Sequence, residues 1–93
     1  MKIALFVAEQ KSPASNQDIQ DWRNFVGTAQ GMTAELSGVS TLNEGTFLCK
    51  LSVGLHPLSK LALCAKEWRV QSRTLFLDEE PSWVVSKIAA KDQ

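Results

Sequence analysis

Two stretches with apolar residues at helical spacing are each flanked by stretches of strand character. The 93-residue chain therefore reads strand, helix, strand, strand, helix, strand. Few architectures accept that order. Connections between parallel strands are right-handed, and two strand-helix-strand units joined by a hairpin interleave into one antiparallel sheet with both helices on the same side.

The first strand pattern, Lys2 to Ala8, is apolar at both alternating sets of positions: Ile3, Leu5 and Val7 in one, Ala4, Phe6 and Ala8 in the other. A strand covered on both faces reads this way and belongs in the centre of a sheet. Pro13 and two serines follow, and Ser15 or Asn16 can cap a helix. Its stripe is Ile19, Trp22, Val26 and Ala29, widened by Phe25, with Asp18 and Asp21 on the other side and Gly31 as a stop. Met32 to Thr41 alternates as a half-buried strand, and Leu42-Asn43-Glu44-Gly45 has turn chemistry. The next arm puts Phe47, Cys49, Leu51 and Val53 inward and Thr46, Lys50 and Ser52 outward, and Gly38 marks a bulge.

Pro57 suits the first turn of a second helix, whose stripe is Leu58, Leu61, Ala62, Ala65 and Trp68. Val70 to Leu77 is the last strand of the set. Asp78, Glu79 and Glu80 before Pro81 favour a helix start, so 81–91 reads as a short helix or, through Trp83-Val84-Val85, as a fifth strand.

The expected architecture is α+β: a ferredoxin-like βαββαβ sandwich formed by residues 1–93 as one domain. It has four antiparallel strands, two helices on one face, and a C-terminal helix or extra strand. That leaves one sheet face uncovered by the two helices. Phe6, Leu48 and Phe76 are expected there, beside Ala4 and Ala8, with Trp83 and Val85 as further contact residues. An apolar patch of this kind marks an interface, so a homodimer or a protein partner is expected.

Composition narrows the remaining classes. Ten basic and ten acidic residues give zero formal charge, so no overall field draws the chain to nucleic acid or to an anionic membrane. The longest apolar run, Ile3 to Ala8, is far below the roughly 20 residues of a membrane span. A cytoplasmic protein is expected. Cys49 and Cys64 fall at inward positions and read as buried thiols, without the spacing of a zinc or redox site.

Candidate chemistry is sparse, and the balance is against an enzyme and against a cofactor. His56 is the single histidine, and Leu55, Pro57 and Leu58 around it offer no activating carboxylate. Glu9 closes the first strand where small metal-dependent nucleases of this fold carry an acidic ligand, which makes it a candidate metal ligand. In an antiparallel sheet Asp78, Glu79 and Glu80 fall at the opposite end, so a metal site would need Glu9 from two subunits. Lys60, Lys66, Arg69 and Arg73 are the candidate nucleic-acid contacts. A dimeric barrel with a small-molecule pocket near Asn24, His56 and Trp68 is a third reading. The leading expectation is a non-enzymatic interaction or regulatory module that works as a homodimer.

Overall fold

The structure is a computed structural model that describes residues 2–79, so Trp83, Val85 and the helix or strand expected over 81–91 lie outside the described residues. The elements are β1 (Ile3–Glu9), α1 (Asn16–Thr33), β2 (Val39–Asn43), β3 (Thr46–Lys50), α2 (His56–Glu67) and β4 (Gln71–Leu77), with a 3-10 turn at Leu51–Val53. The four strands form one antiparallel sheet in the order β2-β3-β1-β4. This is the ferredoxin-like sandwich that the order of elements implied.

Local chemistry sets the boundaries. At the start of α1 the Ser15 hydroxyl accepts from the Asp18 amide at 3.1 Å, while the Asp18 carboxylate accepts from the Ser15 amide at 3.0 Å. That reciprocal box satisfies two backbone donors that a helix start leaves without partners. Gly31 does not stop the helix, which runs on to Thr33. The Thr33 hydroxyl is buried and donates to the Ala29 carbonyl at 2.8 Å, so a residue expected in a strand is held helical. Met32 goes with it, and β2 begins at Val39 instead. Gly38, just before it, has φ of 78°, the left-handed region that glycine enters freely. The expected third strand is also shorter. It ends at Lys50, because the Leu51 amide donates to the Lys2 carbonyl at 2.8 Å and Leu51–Val53 curls into the 3-10 turn.

Helix α2 ends in a Schellman motif: the Arg69 amide donates to the Lys66 carbonyl and the Val70 amide to the Ala65 carbonyl. Arg69 occupies the left-handed position with φ of 57°, where glycine is usual. A side chain there costs about 1 kcal/mol or more, and this one makes a contact that glycine could not.

The core lies between the sheet and the two helices. Ala4, Phe6, Ala8, Phe47 and Cys49 from the sheet meet Phe25 and Ala29 of α1 and Leu61, Cys64 and Ala65 of α2. Phe6 and Phe47 are opposite each other in the ladder, with ring centroids 6.3 Å apart. On α2 the inward set includes Cys64, whereas Ala62 is exposed.

The ladder fixes which side each strand residue faces, and here one expectation is corrected. Phe6 is fully buried under the helices, and Phe76, opposite Ala4 in the ladder, is on the same side. Neither lies on the far face. Their ladder neighbours do: Ile3, Leu5 and Val7 of β1, Leu48 of β3, and Leu75 and Leu77 of β4. Because β1 is apolar at both sets of positions, its pattern alone did not say which set meets the helices.

Candidate interaction surface

On the face away from the helices the ladder sets side chains in transverse rows. Leu48, Leu5 and Leu75 form the middle row, with Ser40 of β2 beyond Leu48. Lys50, Ile3 and Leu77 form the row at one end, and Thr46, Val7 and Arg73 the row at the other. Directly opposite side chains in antiparallel strands lie about 5 Å apart at Cβ, so the six apolar residues make one continuous patch. Ile3 and Leu48 are buried, Leu5, Val7 and Leu77 are half-buried, and Leu75 is 56% exposed. Lys50, Arg73 and Ser40 are exposed around them. An apolar centre with a polar rim is the usual anatomy of a contact surface.

Glu9 closes the Val7 end of this face. Its carboxylate forms an ion pair with Arg73, the residue opposite Val7 on β4. Both groups are partly exposed. Asp78 follows the other end of β4, where Leu77 is opposite Ile3, so the separation of Glu9 from the acidic stretch matches the antiparallel geometry expected of it. Among the described residues no group of three or more His, Cys, Asp or Glu side chains is placed to hold a metal ion.

The four candidate nucleic-acid contacts do not meet. Lys60 and Lys66 are exposed on α2, in the helical layer, whereas Arg73 is on the far side of the sheet with Glu9. Arg69 is tied elsewhere. Nor do Asn24, His56 and Trp68 converge: His56 begins α2 and Trp68 caps its end, about 18 Å away at 1.5 Å per residue.

A charged contact at a residue expected on the solvent side of α1 joins that helix to the turn between α2 and β4. Asp21 is only 3% exposed and accepts two hydrogen bonds from the Arg69 guanidinium, at 3.1 Å from Nε and 2.7 Å from Nη2. Gln17 donates to the same carboxylate at 2.9 Å. The surrounding space, lined by Glu9, Lys11, Asp18, Asp21 and Arg69 among others, amounts to about 10 Å³. That is about one water's worth of room, so this pair is a clasp and not a substrate pocket.

The clasp has a pH signature. The hydrogen bonds from Arg69 are the main cause holding the Asp21 pKa below its ordinary 3.8, with Gln17 and the Arg69 charge adding to them against the cost of burial. A carboxylate whose pKa falls on folding stabilises the fold above its unfolded pKa, and loses that contribution as pH drops through the folded value. The stability advantage of the native chain over Asp21→Asn is therefore expected to be full at neutral pH and to shrink below about pH 4. Thermal melts of both proteins from pH 7 down to pH 2 measure this. Burial, acting in the opposite direction on a different group, pushes both core thiols, Cys49 and Cys64, above their usual range, where they remain protonated at neutral pH.

Compared with protein-family models, with curated proteins and with solved structures, the chain matches none of them.

Proposed function

We propose that this chain is a small non-enzymatic interaction or regulatory module, a homodimer that works in the cytoplasm by occupying a protein partner. The observation that carries this reading is the continuous apolar patch of Ile3, Leu5, Val7, Leu48, Leu75 and Leu77 on the sheet face opposite the helices. Apolar area is worth about 25 cal/mol per Å² when removed from water, so an incompletely covered patch favours association. Two buried, unpaired thiols suit a reducing compartment.

The groups an enzymatic reading would enlist have other engagements. Glu9 is paired with Arg73 and Asp21 with Arg69. The nuclease alternative needs Glu9 available to a metal from two subunits, and the pocket alternative needs His56 and Trp68, which lie at opposite ends of α2.

Two substitutions test the reading. Val7→Lys and Leu75→Lys put charge on the patch at positions with some exposure, where a folded monomer tolerates a long flexible side chain. Each is expected to weaken self-association at least about tenfold while circular dichroism stays native, since one charge buried in an apolar contact costs well over 1.4 kcal/mol. Unchanged association in both variants would remove the support for this surface.

A further inference from the structure

One side of α1 stops short of full burial. Ile19, Trp22 and Val26 follow one another along it at steps of three and four residues, and all three are half-buried. Between them and the turn that joins β2 to β3 is a cleft of about 500 Å³, with these side chains as its apolar floor and Arg23 and Glu44 at its walls. It continues past the Trp22 ring toward Asn43 and Thr46. Its volume is in the range of small-ligand sites. Because α1 and the hairpin turn line it, copies that meet through the other face of the sheet leave it open.

Two glycines shape this cleft. At Gly45 a Cβ would stand 2.7 Å from Trp22 Cη2, so glycine is what lets the turn close against the indole. At Gly27, which lines the cleft, a Cβ would meet nothing within 4 Å. The space a side chain would take there is left to the cleft. The indole itself is held in place, with the Phe25 ring 5.9 Å away between centroids and Gly45 at its edge. A ring fixed in advance loses little freedom when a ligand stacks on it.

The other charged groups at this end of the molecule are matched within the chain: Glu9 with Arg73, Lys11 with Asp18 and Asp21 with Arg69. Arg23 and Glu44 are not. They are the charged residues lining the cleft, one of each sign, and they come from opposite walls, the helix and the turn.

We propose that this cleft binds an apolar α-amino acid as the free zwitterion. Its carboxylate meets the Arg23 guanidinium, whose fork of donors suits two carboxylate oxygens, and its ammonium meets the Glu44 carboxylate. Its side chain lies against Trp22, Ile19 and Val26. The cleft takes this ligand whether or not the chain self-associates.

Titration with L-phenylalanine and with L-leucine, followed through the Trp22 indole N–H by two-dimensional NMR, tests this. Saturable shifts with a dissociation constant at or below about 1 mM are expected for at least one of them. N-acetyl-L-phenylalanine lacks the ammonium and L-phenylalaninamide the carboxylate. Each is expected to bind at least about tenfold more weakly than its parent, and Arg23→Gln and Glu44→Gln are expected to weaken the parent as much. Gly27→Leu is expected to keep a native circular dichroism spectrum and to lose the binding, since leucine favours the helix and fills the cleft from its surface. No saturable shift with either amino acid would overturn the site. So would equal binding of phenylalanine and its two derivatives, or undiminished binding by Gly27→Leu.

Discussion

Replacing Phe47 by alanine is expected to cost about 3–5 kcal/mol, a large part of the 5–15 kcal/mol that holds a small domain together. The ring is fully buried, lies 6.3 Å from the Phe6 ring, and sits on a central strand opposite Phe6 on one side and Thr41 on the other. The sheet and both helices contribute to the cluster around it, so no single element can move in to fill the hole. Phe6→Ala is expected to cost as much. Phe76→Ala, on the same sheet face but 42% exposed at the edge, should cost about a third as much, because much of its ring is already in water. Urea unfolding of the three variants gives the comparison. A small loss for Phe6→Ala together with a large one for Phe76→Ala would mean that the burial assigned to these rings is wrong.

Gly45→Ala is expected to destabilise by about 1–3 kcal/mol, although it adds a single methyl group. A Cβ at this position would stand 2.7 Å from Trp22 Cη2 and 3.0 Å from the Ala8 carbonyl oxygen. The backbone there has little freedom to give way. The Gly45 carbonyl accepts from the Ala8 amide at 2.7 Å, and its amide donates to the Asn43 side chain at 3.1 Å. Trp22 is half-buried and packs against Phe25 with ring centroids 5.9 Å apart, so relieving the clash disturbs either the core or the end of the β1–β3 ladder. Gly27→Ala is the control. It lies within α1 with nothing inside 4 Å of its would-be Cβ, and it is expected to stabilise by about 0.5–1 kcal/mol. The same urea titration reads both, and the opposite signs separate close packing from helix propensity.

How much of this was legible in the residues depends on the range of the interaction concerned. Element order, hairpin and sheet topology follow from local periodicity and turn chemistry, and the strand order β2-β3-β1-β4 follows from the connection rules. Boundaries set by single hydrogen bonds were harder. Thr33 extends α1 past Gly31 through a bond to a carbonyl one turn back, and nothing in the Gly31-Met32-Thr33 triplet announces it.

The facing of β1 was misread for a different reason. Alternation identifies the buried set only when the other set is polar, and here both are apolar. The cue was available in side-chain volume on the partner strands: Phe47 and Cys49 were correctly read as inward, and ladder pairing then carries Phe6 and Ala4 inward with them. Leu48 was correctly expected on the far face, but its ladder partner there is Leu5 and not Phe6. Asp21 was out of reach in another way. Its partner Arg69 is 48 positions along the chain, and a carboxylate at a helix position reads as solvent-facing until that partner is known.

Self-association through the apolar sheet face is tested most directly by the mass of the full chain in solution. Sedimentation equilibrium across micromolar to millimolar concentration is the measurement. A reversible shift toward twice the monomer mass is expected as concentration rises. A single species of 10.3 kDa throughout that range would contradict it.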